Sequence, residues 1–261
     1  MARHAPGRRH VRRGAATELA VRDAVAWITL ARPETRNRLE PELLAGLVEA
    51  CAAAEAAEEV RVVVLAAAGT HFCAGLPESC SWPPAEWPDG VGAVARLTKP
   101  VIACVAGEVR GWGVALALAC DLRIAASTAV LRLPEAARGR LPGGGVTQRL
   151  ARLVGPARAL ELVLLGEPLP ATRAAAWGLL SCVVAPGRLH VTAVAMAGTL
   201  AARGPLALRL AKEAVTRAFD LPLDDGLRLE HDLYVLLQTT ADRREGVRAF
   251  VGRRKPRFRG R

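Results

Sequence analysis

The chain alternates short, uniformly apolar runs with longer stretches in which apolar residues recur at helical spacing. Two runs, 19–22 and 25–30, flank Asp23 and predict a hairpin of two strands. The segment Arg32-Pro33-Glu34-Thr35-Arg36-Asn37 is a turn-rich connector. Over 41–57, Leu43, Leu44, Leu47, Val48 and Cys51 share one face behind Pro41, which predicts a helix with proline in its first turn. The run 60–66 is β-branched and apolar throughout, the pattern of a strand buried on both faces. Residues 67–90 break this rhythm with Gly69, Gly75, Pro77, Pro83, Pro84, Pro88 and Gly90 around Trp82 and Trp87. Such a long irregular loop after a strand end is a frequent carrier of function. A helix up to Leu97 follows, and Lys99-Pro100 ends it.

The stretch 99–150 organises the rest. An apolar run at 101–106 turns at Gly107 and passes through Gly111-Trp112-Gly113 into a small-residue apolar segment ending at Asp121. A second apolar run, 121–125, leads to Leu133-Pro134-Glu135 and the loop Leu141-Pro142-Gly143-Gly144-Gly145. This predicts strand, glycine turn, buried helix, strand, and a carboxylate beside a second glycine turn. A glycine turn that opens a helix exposes unpaired backbone N–H groups, which hold developing negative charge. Glu135 is the carboxylate placed to move a proton. Beyond 147, the segments 148–154, 157–165, 171–177, 189–203, 205–218 and 225–239 carry apolar residues at helical spacing, with a short strand expected at 180–184. Strands crossed by helices, followed by a helical C-terminal region, make an α/β fold.

Composition changes the picture only where it is located. The 261 residues are 51% hydrophobic and 23% charged, ample for a sizeable core. No apolar run approaches the ~18 residues of a membrane span. The net charge of +11 suggests a nucleic-acid partner until it is mapped. Residues 1–16 hold five Arg and no acid, residues 243–261 hold nine bases and one acid, and the remainder is net −2. The excess therefore sits in the two ends, and no aromatic–basic interleaving accompanies it, so neither nucleic acid nor membrane is expected as a partner. Residues 1–16 are expected to be a basic disordered arm without the apolar stretch of a secretory signal. The six cysteines form no CxxC pair and several lie in apolar runs, as expected of reduced thiols in a cytoplasmic protein.

Several kinds of chemistry are excluded. Gly111-Trp112-Gly113 has Leu116 at its sixth position and is no dinucleotide fingerprint. The triple-glycine loop lacks a following Lys-Ser/Thr, and there is no GxSxG elbow. The five histidines show no metal-ligand spacing, so no metal is expected. What remains is two glycine turns after strand ends, Cys73-Ala74-Gly75-Leu76 and Gly111-Trp112-Gly113, together with Glu135.

At these residues the chain resembles the enoyl-CoA hydratase/isomerase (crotonase) family. The resemblance runs from Arg32-Pro33-Glu34-Thr35-Arg36-Asn37 through Phe72-Cys73-Ala74-Gly75, the segment 107–121, Pro134-Glu135, the segment 141–150 and the segment 174–178 to the C-terminal pattern around Arg254-Lys255-Pro256-Arg257-Phe258. It covers roughly residues 18–260 in the expected order. It implies a crotonase-type spiral of ββα units over 17–200 and a helical C-terminal trimerisation region with a basic tail over 201–261. It also implies an acyl-CoA substrate, no separate cofactor, and a homotrimer or hexamer. The backbone N–H groups of Leu76 and Trp112 would bind the thioester oxygen. Arg36, Asn37, Ala74, Gly75, Gly111, Gly113 and Pro134 would line the substrate site, with Lys255 and Phe258 reaching CoA, the basic tail doing so in a neighbouring subunit.

Two departures matter. The middle of the second glycine turn is Trp112, whose indole must occupy space near the acyl group. The position where similar hydratases place a first glutamate is Ala115, which leaves Glu135 as the sole carboxylate. One base suffices for a 1,3-proton shift, so the expectation is Δ3,Δ2-enoyl-CoA isomerisation, with hydration, or acyl-CoA binding without catalysis, as alternatives. Trp82 and Trp87 are expected either to line the acyl pocket or to pack the loop. Cys73 is expected to be a buried small residue, and His71 a loop cap or a ligand contact.

Overall fold

The computed structural model of the chain describes residues 9–10, 16–80 and 82–261. Most of the expected basic arm therefore lies outside the described residues. Within it, Arg9–His10 form a two-residue strand, β1, antiparallel to the first hairpin. That hairpin joins β2 (Thr17–Arg22) to β3 (Val25–Leu30) through Asp23 and Ala24, both in left-handed conformation with φ of 51° and 63°. The chain continues through α1 (Pro41–Ala56), β4 (Val62–Ala67), α2 (Gly90–Ala95), β5 (Val101–Val105), β6 (Glu108–Arg110), α3 (Trp112–Leu118), β7 (Leu122–Ala126) and β8 (Val130–Arg132). Next come α4 (Val146–Val154), α5 (Pro156–Leu165), β9 (Leu169–Pro170), α6 (Ala171–Ala176), β10 (Cys182–Val184), α7 (Leu189–Ala201), α8 (Pro205–Arg217), α9 (Leu223–Gln238) and α10 (Ala241–Val251).

The strands form two sheets. The larger runs β1-β2-β3-β4-β5-β7-β10, parallel from β3 onward, and the smaller runs β6-β8-β9. The continuous apolar run of β4 has the cause expected for it. Val63 and Leu65 face the main core beneath α1 and α3, while Val62 and Val64 face a second cluster completed by Ala193 and Ala197 of α7. The smaller sheet was not foreseen, because strands of two or three residues carry no periodicity. Elsewhere the differences are at boundaries, such as α2 ending at Ala95 and β10 beginning at Cys182.

Two charged side chains, buried Lys99 and half-buried Asp121, brace the large sheet. The Lys99 ammonium donates to the carbonyls of Ala54 (2.8 Å) and Ala57 (2.7 Å), closing the C-terminus of α1. Asp121 accepts from the Val101 N–H (2.7 Å) and pairs with Lys212 (2.7 Å), fastening α8 to the sheet. The expected basic tail is preceded by α10, a helix that sequence periodicity did not reveal. Its Val247, Phe250 and Val251 are exposed, so it shows no apolar stripe. Asp242 accepts from the N–H groups of Arg259 (2.6 Å) and Gly260 (2.8 Å). Glu245 binds Arg254 and the Arg257 N–H, so the tail folds back on α10. Among the described residues no single helix is long and apolar enough to cross a membrane.

Candidate active site

The first turn begins where fully buried Phe72 donates its N–H to the Ala106 carbonyl (2.8 Å). The Cys73 carbonyl accepts from the Arg110 N–H (3.1 Å), locking this segment beside β6. The Ala74 N–H donates to the Arg36 carbonyl (3.0 Å) and the Leu39 N–H to the Gly75 carbonyl (2.8 Å). Gly75 has φ +83°, and a Cβ there would stand 2.7 Å from the Arg110 carbonyl oxygen and 3.4 Å from the Trp112 nitrogen. The first turn thus lies directly against the second, and only glycine permits that approach. On the other side, the Gly111 N–H donates to the Arg132 carbonyl (3.0 Å), and Gly111 opens α3 with φ +49°. Gly113 is wedged against the Cys73 carbonyl and serves packing. Among the described residues, neither the Leu76 N–H nor the Trp112 N–H meets an acceptor. Trp112 is the first residue of α3, where no helical partner exists.

Glu135 stands over this pair. It follows buried Pro134 at the end of the segment leaving β8, and its own carbonyl accepts from the N–H groups of Arg138 and Arg140, both at 2.9 Å. That turn points its carboxylate at Gly111, where a Cβ would fall 2.2 Å from Oε1. Oε2 is buried with no hydrogen-bond partner. Burial holds the Glu135 carboxyl above the usual carboxylate range, opposed by its own backbone N–H and then by Arg138, Arg110 and Arg140. A half-buried, under-satisfied carboxylate of raised pKa is the arrangement that general acid–base work needs. The surrounding cleft, about 650 Å³ including its open mouth, is lined by Ala74, Gly75, Leu76, Gly111, Trp112, Pro134 and Glu135, with arginines at its rim.

The two departures have structural consequences. The indole of Trp112 lies against Gly143, where a Cβ would come within 2.8 Å of ring atoms Cζ2, Cε2 and Nε1. Ala115 is fully buried and its methyl packs on Gly144, where a Cβ would stand 2.7 Å away. The triple-glycine loop therefore leaves room for the indole and closes over the position at 115. Arg149 donates to the Gly144 carbonyl (2.8 Å) and holds the loop in place.

Other expected site residues separate from this centre. Arg36 lines the cleft, exposed and 3.7 Å from Glu108. Asn37 does not reach the cleft, a correction to its expected role in CoA binding. It is fully buried, its Oδ1 accepts from the Arg32 N–H, and its Nδ2 donates to the carbonyls of Ala68 and His71. Its amide organises the loop instead. Lys255 and Phe258 do not line the cleft of their own chain. Lys255 is exposed, and the Phe258 carbonyl accepts from Arg61 (2.6 Å). His71 is a loop cap, its Nδ1 accepting from the Glu108 N–H (2.9 Å). Cys73 is fully buried and its thiol is pushed up to about 12, so it is inert. Trp87 packs on the core, whereas Trp82 is exposed and meets the Trp112 indole edge-on at 5.5 Å. Sequence reasoning missed Arg38, Arg110, Arg138 and Arg140, which also line the cleft. The signal for the last two was present, as two arginines within five residues of the candidate base.

Comparisons with known proteins bear on this geometry. The profile of the family described as enoyl-CoA hydratase/isomerase matches residues 20–261. The (E)-benzylidenesuccinyl-CoA hydratase of Thauera aromatica is 39% identical over 251 residues, covering 93% of this chain and 98% of that protein. The 2,3-dehydroadipyl-CoA hydratase of Escherichia coli is 38% identical over 244 residues, covering 91% and 96%. Among solved structures, an enoyl-CoA hydratase from Mycobacterium tuberculosis superposes with a TM-score of 0.89 at 32% identity, covering 95% of this chain and all of that one (100%). One from Bacillus anthracis gives 0.88 at 35%, covering 94% and 99%. With the fold, the ordered motifs and these matches in agreement, the chain belongs to the enoyl-CoA hydratase/isomerase family and is an enzyme of the crotonase fold.

Proposed function

We propose that this enzyme moves a double bond in an acyl-CoA thioester, converting a 3-enoyl-CoA to a 2-enoyl-CoA with Glu135 as its only acid–base group. The thioester carbonyl accepts from the Leu76 and Trp112 N–H groups. The Glu135 carboxylate removes a proton from C2, and the electron pair is delocalised onto the thioester oxygen as a dienolate. Donors aimed at that oxygen lower the barrier, each by about 3–4 kcal/mol in comparable sites. Glu135 then returns the proton at C4, leaving the double bond between C2 and C3. No net atom is gained or lost, and no cofactor is needed beyond the CoA of the substrate. The observation that carries this reading is the buried, unpartnered Oε2 of Glu135, with Ala115 packed against Gly144 where a second acid would otherwise stand.

Hydration of a 2-enoyl-CoA is the second reading, favoured by the names of the relatives, two of which are hydratases of specific enoyl-CoA substrates. Incubation with a 3-enoyl-CoA and, separately, with a 2-enoyl-CoA in deuterated water decides between them. The expected result is a shifted double bond with deuterium at the exchanged carbon, abolished in Glu135→Gln. A 3-hydroxyacyl product without isomerisation would replace the first reading by the second. Absence of any α-carbon exchange would refute both readings.

The same reading includes assembly. Residues 17–200 carry the site and 201–261 the contacts of a homotrimer or a pair of trimers. Exposed Leu223, Leu227, Leu236 and Phe250 on α9 and α10 support this, being large apolar side chains in need of cover. Arg36 meets CoA phosphates at the cleft, and Lys255 and Phe258 meet those of a neighbouring subunit. Six free cysteines support a reducing, cytoplasmic setting.

A further inference from the structure

Five arginines line the cleft, and three of them are answered by acids. Arg36 lies 3.7 Å from Glu108, Arg110 lies 3.4 Å from the same carboxylate, and Arg38 lies 4.0 Å from Glu78. Arg138 and Arg140 are different. Among the described residues neither makes an ion pair within 4.0 Å, and neither guanidinium makes a hydrogen bond. Neither guanidinium lies within ion-pair distance of the Glu135 carboxylate, and its buried Oε2 has no hydrogen-bond partner at all. Yet both side chains begin within one turn of that carboxylate, because the N–H groups of Arg138 and Arg140 both donate to the Glu135 carbonyl at 2.9 Å. Both arginines act on the Glu135 carboxylate only through space; two guanidinium groups with every N–H donor unspent beside a cleft are a site for an anion.

Resting on the proposed acyl-CoA chemistry, we infer that Arg138 and Arg140 bind a carboxylate carried by the acyl group, so that the substrate is the CoA thioester of a dicarboxylic acid. The only other anions such a thioester brings are the CoA phosphates. The pantetheine arm holds those far from the thioester carbon, whereas Arg138 and Arg140 rise from the segment that presents the base to that carbon. The acyl side is therefore the nearer source. A guanidinium matches a carboxylate with paired N–H donors, and a pair of arginines discriminates an acid from the methyl end of a fatty acyl chain.

The test compares thioesters that differ only at the far end of the chain. Equilibrium binding is measured for glutaryl-CoA against pentanoyl-CoA and for adipoyl-CoA against hexanoyl-CoA, with free CoA as the reference for phosphate contacts. In the wild-type enzyme the carboxylated member of at least one pair is expected to bind roughly 10–100-fold tighter. Arg138→Gln and Arg140→Gln are each expected to reduce that ratio, and together to abolish it, with free CoA affinity unchanged. Equal binding within both pairs overturns the inference, as does a ratio that survives the double substitution. Equal weakening of both thioesters and of free CoA also overturns it, assigning the arginines to the phosphates. These saturated thioesters undergo no turnover. A carboxylate preference in an enzyme that fails to exchange the α-proton would support this inference while refuting the isomerase reading.

Discussion

Glu135 in the cleft and Glu245 on α10 meet opposite surroundings. Glu245 is engaged on both oxygens, with Arg254 Nη1 at 2.6 Å from Oε1, Arg254 Nη2 at 2.9 Å from Oε2, and the Arg257 N–H at 2.8 Å from Oε1. Those hydrogen bonds, the Arg254 one first, hold its carboxyl down at about 2. Glu135 has three arginines near enough to feel and none bonded to it, and burial holds its carboxyl up. Satisfying a carboxylate fixes it in its charged form and makes it a structural clasp. Leaving one under-satisfied in a half-buried cleft weakens its hold on the charged form, which suits a group that must both take and return a proton. The tail is therefore built from completed hydrogen bonds and the cleft from withheld ones. The idle Leu76 and Trp112 amides repeat the pattern.

The comparison is broken most severely at Glu135 itself. Glu135→Gln is expected to lower α-proton exchange about 10³-fold while thioester binding survives, as read by deuterium incorporation and by calorimetry. Its thermal midpoint is expected not to fall, because the variant no longer buries a charge without a partner. Gly75→Ala attacks the amide pair instead. With φ +83° and the Arg110 carbonyl 2.7 Å from any Cβ, the variant is expected to lose about 2 kcal/mol of stability and about 10²-fold in rate, measured by denaturant unfolding and steady-state kinetics.

Ala115→Glu asks whether a second acid suffices for water addition. Because the methyl at 115 already touches Gly144, the expected outcome is overpacking, a loss of about 1–3 kcal/mol, and no gain of hydratase activity. A variant that stays stable and hydrates a 2-enoyl-CoA would contradict the packing account. The pH dependence sharpens the contrast more gently. As a base, Glu135 acts when deprotonated, so kcat/KM rises with pH through its pKa. Burial places that limb above the usual carboxylate range. Arg138→Gln removes a positive charge that favours the carboxylate, and the limb is expected to move to still higher pH.

The smallest effect belongs to the tail. Because the folded-state value of Glu245 is depressed, its contribution is fully present above the unfolded carboxylate range and is lost as pH falls toward about 2. Glu245→Gln at neutral pH is expected to speed amide exchange at Arg257 while leaving single-turnover chemistry in the cleft unchanged. Unaltered exchange there would show that Asp242 alone holds the tail.

Local signals were enough to locate most of the elements and the segments that line the cleft. Period and apolar content gave the hairpin at Asp23, the doubly buried β4, and the order of strands and helices, because burial on one or both faces is written into neighbouring residues. Glycine turns after strand ends marked the two segments that meet at the cleft, Pro134-Glu135 marked the carboxylate beside them, and the choice of Leu76 and Trp112 within the turns came from the family resemblance. The small sheet escaped because its strands are too short to show a period, and α10 because its buried side is marked only by Asp242 and Ala249 while its large apolar residues are exposed. Where each group ends up facing required segments far apart in the chain to meet. Asn37 stands beside Arg36 in the sequence, yet one lines the cleft and the other is sealed beneath the loop at 68–71. Only the meeting of Gly75 with Trp112, of Gly143 and Gly144 with the indole and Ala115, and of Glu135 with Gly111 fixes which donors stay idle and which carboxylate oxygen goes unpaired. Spacing along the chain specifies which groups exist and on which element they ride. Their solvation, partners and acidity arise from contacts between elements that no local pattern encodes.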